Sequence, residues 1–365
     1  MEEAMAIKAK AGILEISPYV GGEAGLKDLK NIHKLSANEG ALGPSPTAIE
    51  AVALAAQNMH RYPDGNAYNL RHILGTNHHI NPEQIICGNG SDELITLLTQ
   101  SFAAAGDEVL YSEHGFLMYP ITALSFGATP IWAQEDNYTT CVDSLLAKVS
   151  SRTKIVFVAN PNNPTGTYIS HDEMKRLRDG LRDDILLVID AAYAEFVNKD
   201  DYDSGIRLVD AYDNVVMTRT FSKAYALGGV RLGWCYGPDY IIDILNRVRG
   251  PFNVSHLALA AGEAALKDTN HLKATIEHTI KWREWLSDKI EALNIDVLDS
   301  QGNFILACFK DASTADAAEA ILKEQGLIVR KMGGYKLPQA LRITIGTQEE
   351  NEAIVQTLEL FCKGA

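Results

Sequence analysis

The sequence predicts an α/β fold in which a mostly parallel sheet forms a large domain and a smaller α+β domain follows. Short β-rich runs such as KIVFVAN and DILLVID alternate with helical or polar segments, the pattern expected of a parallel sheet covered by helices. Beyond Trp234 a helical region precedes the β-rich runs NFILACF, GLIVRKM and ALRITIG. These changes predict an N-terminal arm at 1–35, a large domain at 36–245 and a small domain at 246–365.

Composition excludes several classes of protein. The chain has 365 residues, 46% of them hydrophobic, which is enough to bury a sizeable core. Its formal net charge of -14 argues against a nucleic-acid partner, because phosphate backbones need a basic surface. No apolar run approaches the roughly 20 residues of a membrane span, so no membrane partner is expected. The five cysteines lack CxxC spacing and are odd in number, which favours a reducing compartment and predicts a cytoplasmic location.

The first strand–helix unit predicts an anion site. A Gly- and Pro-rich loop (residues 35–46), a helix (47–59) and Tyr62, beside Pro63, come before it. EQIICGNGSDELITLLTQSF then indicates a strand, a turn and an amphipathic helix. The turn places backbone amides and Ser91 at a helix N-terminus, where the helix dipole favours an anion. A dinucleotide-binding fingerprint would need glycine where Glu93 stands, so that alternative is weakened.

Chemically interesting residues follow three of the predicted strands, where ligands bind in parallel sheets. EVLYSEHGF ends in Phe116, which is either a core ring or the stacking partner of a flat cofactor. Asn163 lies in PNNPTG, which is either a plain connection or a turn that presents an amide to a ligand. DILLVID ends on Asp190, with Tyr193 three residues on. Burying an unpaired acid is costly, which favours a functional role for Asp190.

The stretch at 215–234, VVMTRTFSKAYALGGVRLGW, carries the main chemical prediction. It indicates a strand, a polar loop and a second strand, with Thr220, Ser222 and Lys223 in the loop and Arg231 in the second apolar run. A partly unprotonated lysine forms Schiff bases, and hydroxyls with an arginine suit a phosphate. Together they predict pyridoxal phosphate, although a lone lysine is usually just solvated. A P-loop is excluded, because its order of glycines, GK and then Ser or Thr is absent.

The last hundred residues add two arginines and a helix cap. Arg330 and Arg342 each lie in a β-rich run, so each points either to a site or to solvent on the polar face of its strand. Thr347 and Glu350 form a capping-box pattern before the final helix.

Taken together, these motifs resemble a known family. The order NPNNPTG, VIDAAYAEF, TFSKAYALGGVRLG and ALRITIG resembles the fold-type I pyridoxal-phosphate aminotransferases. Within that family, LSANEGALGPSP, RYPDGNAYNLR, GNGSDE, RGPFNVS and YKLPQALRITIGTQEEN resemble the histidinol-phosphate aminotransferase branch. The resemblance extends from about Tyr19 to the C-terminal helix.

The resemblance implies a role for each site residue. Lys223 matches the lysine that joins the cofactor and then carries the proton, Asp190 the acid under the pyridine nitrogen, and Tyr193 a partner of the ring hydroxyl. The other implied cofactor residues are Asn163 at the ring hydroxyl, Ser91, Asp92, Thr220, Ser222 and Arg231 at the phosphate, Phe116 stacked on the ring, and Tyr62 from a neighbouring subunit. The implied substrate residues are Tyr19, Asn38, Asn163, Arg330 and Arg342.

The resemblance also implies an activity and partners. The expected reaction is a ping-pong transfer of an amino group between histidinol phosphate and 2-oxoglutarate, in a homodimer without a metal. Arg342 would grip the α-carboxylate, while Arg330 and Tyr19 would recognise the far end of the substrate. The alternatives are an aromatic amino-acid aminotransferase, a lyase or decarboxylase on the same scaffold, and a cofactor-bound protein without turnover.

Overall fold

The computed structural model describes residues 7–18, 21 and 32–364. The strands are β1 (His33–Lys34), β2 (Ile85–Gly88), β3 (Glu108–Ser112), β4 (Thr129–Ala133), β5 (Glu135–Asp136), β6 (Thr139–Thr140), β7 (Thr153–Ala159), β8 (Leu186–Asp190), β9 (Val215–Thr220), β10 (Gly233–Tyr236), β11 (Asp296–Val297), β12 (Phe304–Cys308), β13 (Leu327–Ile328), β14 (Arg330–Met332) and β15 (Leu337–Thr344). The helices are α1 (Pro46–Ala56), α2 (Tyr68–His78), α3 (Gly90–Phe102), α4 (Met118–Phe126), α5 (Val142–Lys148), α6 (His171–Gly180), α7 (Ile206–Ala211), α8 (Asp239–Val248), α9 (His256–Lys267), α10 (Thr269–Glu291), α11 (Ala312–Glu324) and α12 (Gln348–Gly364). Across these ranges, no helix combines the length and the apolar character needed to cross a membrane.

The central sheet has seven strands in the order β2-β10-β9-β8-β7-β3-β4. Strand β10 runs antiparallel to both of its neighbours, and the other pairs are parallel. This arrangement confirms the predicted mostly parallel sheet. The carboxyl ends of β8 and β9 therefore meet at one edge, which is where ligands bind in open α/β sheets.

Both faces of the central sheet are buried. Alternate residues of β8 join different apolar clusters: Leu187 and Ile189 pack on one side, Leu186 and Val188 on the other. A strand whose residues point alternately to two covered faces must be apolar throughout, which explains the run DILLVID.

A second, four-stranded sheet with the order β11-β12-β15-β14 forms its own core. Trp282 and Leu286 of α10 pack into that core, together with residues of α11 and α12. Helix α9, by contrast, packs into the cluster of the central sheet through Leu259 and Ala261. The division of the chain at residue 245 stays a prediction.

Three local predictions are wrong. Phe116 does not end a strand, because β3 stops at Ser112 and the ring lies in the turn before α4. Arg231 lies outside the second strand, in left-handed backbone with φ 57°. The run GLIVRKM is not one strand: β13 pairs in parallel with β1, while β14 pairs with β15. Around Arg231 and across residues 327–332 the apolar pattern continues although the backbone direction or the pairing partner changes, which sequence periodicity does not reveal.

The N-terminal arm contacts strand β13 and helix α4. Strand β1 pairs with β13, which precedes β14 of the small sheet. A short 3₁₀ turn, Ile13–Glu15, lies against α4, where a side chain at Gly12 would come within 2.7 Å of the Leu124 carbonyl oxygen. Tyr19, predicted to contact substrate, lies outside the described residues.

The predicted capping box at the start of α12 is confirmed and predicts a stability effect. The Glu350 amide donates to the Thr347 hydroxyl at 3.3 Å, and the Thr347 amide donates to the Glu350 carboxylate at 2.8 Å.

We expect Thr347→Ala to lower the free energy of unfolding by about 1 kcal/mol, because one helix-end amide loses its acceptor. Denaturant unfolding measures the change. The control is Gln356→Ala, at an exposed site on the same helix, which should alter stability by less than about 0.5 kcal/mol; equal losses would contradict the capping role.

Candidate active site

A cavity of about 360 Å³ lies at the carboxyl ends of β8 and β9, beside the N-terminus of α3. It brings together most of the residues that the sequence singled out. The predicted site residues that line it are Asn38, Ser91, Asp92, Phe116, Asn163, Asp190, Tyr193, Thr220, Ser222, Lys223, Arg231, Arg330 and Arg342. Residues as far apart in sequence as Asn38 and Arg342 thus line one small cavity, which argues against each being an ordinary surface or core residue.

Lys223 lies in the loop that follows β9, with its side chain turned into the cavity. Its Nζ donates to the Ala37 carbonyl oxygen at 3.2 Å and lies 5.8 Å from the centre of the Tyr193 ring. Burial, and secondarily the nearby Arg342 guanidinium, lower the pKa of Lys223 from 10.5 to about 8. A lysine with such a pKa is partly neutral near physiological pH and is therefore a competent nucleophile and base.

Asp190 closes β8 and is only 4% exposed. Its carboxylate accepts from the Tyr119 hydroxyl at 2.9 Å, from the Thr218 hydroxyl at 3.3 Å and from the Ala192 backbone amide. Burial raises the pKa of Asp190 to about 6 against the opposing effect of these donors. Asp190 forms no salt bridge with any residue that the structure describes.

A cradle for an anion surrounds the start of α3. Ser91 lies in the first turn of that helix, and the Thr220 and Ser222 hydroxyls lie 3.0 Å apart across from it. Arg231 links the two sides, because it donates to Ser222 at 3.4 Å and to the Asp92 carboxylate at 2.9 Å. Gly90 is required there: its φ is +77°, and a Cβ atom would lie 2.5 Å from the Arg231 guanidinium.

The opposite wall holds Arg342, which is 3% exposed. Its guanidinium donates to the Asn163 side-chain oxygen at 2.5 Å and to the Ser36 carbonyl oxygen at 2.9 Å, and it lies 5.4 Å from the centre of the Phe304 ring. Tyr193, also buried, accepts a hydrogen bond at 2.9 Å from the Asn38 side chain. These contacts fix the orientation of the side chains on this wall before any ligand binds.

Arg330 stands directly beside Arg342. The two are paired across antiparallel strands β14 and β15, so their side chains project to the same face, and both line the cavity. Like charges on directly opposed residues repel each other. Two cations side by side on a cavity wall suit an anionic ligand, whose charge would offset that repulsion.

The residues present fit pyridoxal phosphate. The cradle at α3 supplies helix dipole, hydroxyls and an arginine for the phosphate. The buried Asp190 carboxylate supplies the anion that a protonated ring nitrogen needs, and Lys223 supplies an amine for the aldehyde. Phe116 lines the same cavity and offers an aromatic ring on which a flat cofactor could stack.

One predicted contact differs from the rest, and several cavity residues were missed. Tyr62 does not line the cavity: it is 83% exposed and stacks on Phe252 with ring centres 4.8 Å apart. The residues that sequence reasoning missed are Lys34, Ala37 and Glu39 on the cavity wall, and Tyr119 and Thr218 beside Asp190. Thr218 alternates with Thr220 on β9, a period-two pattern that could have identified it, whereas nothing in the sequence marks Tyr119.

Known proteins support the same interpretation. The family model described as "Aminotransferase class I and II" matches residues 30–358. A curated histidinol-phosphate aminotransferase from Rhodospirillum rubrum is 54% identical over 367 residues, covering 100% of this chain and 99% of the relative. Another, from Paramagnetospirillum magneticum, is 56% identical over 354 residues, covering 96% of this chain and 98% of the relative.

A solved structure agrees with these sequence matches. The crystal structure of histidinol-phosphate aminotransferase from Sinorhizobium meliloti in complex with pyridoxal-5'-phosphate superposes with a TM-score of 0.86 at 27% identity, covering 90% of each chain. The match to the family model spans most of the sequence, and the curated relatives align over nearly their whole length. As its motifs predict, the chain belongs to the aminotransferase class I and II family.

Proposed function

We propose that this chain is a pyridoxal-phosphate-dependent aminotransferase that moves an amino group between L-histidinol phosphate and 2-oxoglutarate in histidine biosynthesis. The curated relatives that are about half identical to it carry the name histidinol-phosphate aminotransferase. The observation that carries the proposal is the pair Arg330 and Arg342, set side by side in the cavity that holds Lys223 and Asp190. 2-Oxoglutarate carries a carboxylate at each end and histidinol phosphate carries a single anionic group, its phosphate, so this pair offers a cation to every anionic group of either substrate.

Each residue contributes a specific part of the reaction. Bound pyridoxal phosphate supplies an electron-accepting ring that stabilises the negative charge left when the substrate loses its α-proton. Asp190 keeps a proton on the ring nitrogen, and Lys223 moves the proton to and from the substrate carbon. Arg342 binds the α-carboxylate of an amino or oxo acid in two parallel hydrogen bonds, which aims the reacting carbon at Lys223.

A ping-pong order follows because both substrates react in the cavity that holds Lys223. The amino donor and the 2-oxo acid occupy the same volume in turn, so the first product must leave before the second substrate enters. Arg330 then receives the phosphate of histidinol phosphate in one half-reaction and the distal carboxylate of 2-oxoglutarate in the other. One cation thereby serves two anions.

Steady-state kinetics with histidinol phosphate, phenylalanine and tyrosine, each against 2-oxoglutarate, test the proposed function. We expect parallel double-reciprocal plots and the highest kcat/KM for histidinol phosphate. A higher value for phenylalanine or tyrosine would instead make the chain an aromatic amino-acid aminotransferase. Turnover without glutamate formation would make it a lyase or decarboxylase.

The assignment of Arg330 predicts a paired defect. Arg330→Ala should raise KM for both histidinol phosphate and 2-oxoglutarate by about 10- to 100-fold, because each loses a charge-assisted hydrogen bond. The matched control is Lys331→Ala, at the next position of the same strand, where the lysine is exposed and pairs with Asp316. Its KM values should stay close to those of the wild type. A defect for only one of the two substrates would disprove the shared cation.

We also propose that the protein is a homodimer and is cytoplasmic, with domain boundaries near residues 35 and 245. The dimer is supported by the exposed stack of Tyr62 on Phe252, two aromatic rings at the surface whose apolar faces a second subunit would bury. In that arrangement Tyr62 reaches the cofactor phosphate of the neighbouring chain. A solution mass equal to one chain would contradict it.

A further inference from the structure

Tyr119 is the closer of the two side-chain hydroxyls that donate to Asp190. Its hydroxyl donates to Oδ2 of Asp190 at 2.9 Å, from helix α4 to the end of strand β8. Tyr119 is fully buried, and Asp190 is 4% exposed. A hydrogen bond between a neutral donor and a carboxylate in such surroundings is not weakened by competing water.

Aromatic neighbours hold the Tyr119 ring in one orientation. Phe157 stacks on it with centres 4.6 Å apart and planes inclined by 5°. Phe116 meets it edge-on at 5.9 Å, and Tyr111 does so at 6.2 Å. Phe116 also lines the cavity, so the Tyr119 ring lies between the cavity wall and the buried Asp190 carboxylate. The hydroxyl direction is thus set by packing before any ligand arrives.

The other donors to Asp190 cannot replace this bond. The Thr218 hydroxyl reaches Oδ1 at the longer distance of 3.3 Å, and its bond goes to the other oxygen. Burial and the neighbouring Asp190 hold the pKa of Tyr119 well above its ordinary value, so the phenol remains a donor at every working pH. Burial raises the pKa of Asp190, and the nearby Asp92 carboxylate adds to that rise. The hydrogen bonds from Tyr119, from Thr218 and from the Ala192 backbone amide oppose it, with Tyr119 the largest of the three.

We propose that Tyr119 is a positioning residue that keeps the buried Asp190 carboxylate ionised and oriented towards the cavity, so that a cofactor with a protonated ring nitrogen can bind there. This inference rests on the proposed function, because it takes Asp190 as the partner of that nitrogen. Cofactor binding should therefore depend on Tyr119 to a degree that changes with pH. Tyr119 matters most under mildly acidic conditions, where an unsupported carboxylate would take up a proton.

The test measures the dissociation constant of pyridoxal phosphate from the apoprotein between pH 5.5 and 8, by fluorescence quenching, in wild type, Tyr119→Phe and Asp190→Asn. Titration of the cofactor's own phosphate is common to all three proteins and cancels in the ratios. We expect Tyr119→Phe to bind within about twofold of wild type at pH 8 but about tenfold more weakly at pH 5.5, because loss of the donor raises the proton affinity of the carboxylate.

Controls separate this effect from a packing defect. Tyr111→Phe makes the same change in the adjacent ring, which has no bond to Asp190, and should leave the pH profile unchanged. Thr218→Val removes the weaker donor and should shift the profile in the same direction by a smaller amount, which keeps the proposal testable if Tyr119→Phe folds poorly. A uniform loss at all pH values, or no loss, would overturn the role of Tyr119. If Asp190→Asn itself binds like wild type at every pH, the assignment of Asp190 in the proposed function fails instead.

Discussion

Replacing Lys223 with alanine is expected to lower kcat by at least about 10⁴-fold, the upper end of what a positioned acid–base group contributes. The same amine both attaches the cofactor and moves the substrate proton, so its loss removes two functions at once. Non-covalent binding of the cofactor should persist, since the cradle around Arg231 and the carboxylate of Asp190 remain. Single-turnover assays of glutamate formation and the visible absorbance of the bound cofactor measure the two effects separately.

The environment of Lys223 also predicts how cofactor attachment depends on pH. At pH 7 a pKa of about 8 leaves about one amine in ten neutral, against about one in three thousand for a lysine at 10.5. The rate of attachment to the apoprotein should rise with pH and level off above about 8. Lys175→Ala, at an exposed lysine of α6, is the control and should behave like wild type. Ordinary turnover in Lys223→Ala would exclude the assigned role.

Much of the fold follows from local sequence because the central strands are buried on both faces. DILLVID and NVVMTRTF have continuous apolar runs that need no alternation, and their strands β8 and β9 lie where predicted. The wrong predictions occur where strand pairing, rather than local sequence, determines the secondary structure. Residues 327–332 divide between two sheets because β1, which lies far away in sequence, pairs with only the first part of the run. Backbone direction at Arg231 likewise depends on the turn that places its guanidinium beside Asp92.

The candidate site shows the same division between local and tertiary information. Asp190 and Lys223 stand out in the sequence because a charged residue closes one buried strand and another lies in the short polar loop after the next. Arg330 and Arg342 are each ambiguous alone, since alternation along a strand allows either face, and only their register shows that both point into one cavity. Tyr119 carries no local signal of a site role, because its hydroxyl reaches Asp190, a residue 71 positions away in the sequence.

Asp190→Asn should lower kcat by about 10²- to 10³-fold, the range measured when one electrostatic partner of a transition state is removed. The neutral amide keeps the packing of a side chain that is 4% exposed, but it no longer stabilises a proton on the ring nitrogen of the cofactor. Steady-state assays and the cofactor dissociation constant measure the loss.

The pH dependence of that loss follows from the raised pKa of Asp190, about 6. An acid with this pKa is ionised above pH 6 and protonated below it, so wild-type affinity for the cofactor should fall as the pH drops through 6. The advantage of wild type over Asp190→Asn should therefore be largest at pH 8 and shrink towards pH 5. Asp213→Ala, at an exposed acid just before β9, should show neither effect. If the ratio of the two dissociation constants were the same at pH 5 and pH 8, ionisation of Asp190 would not be what holds the cofactor.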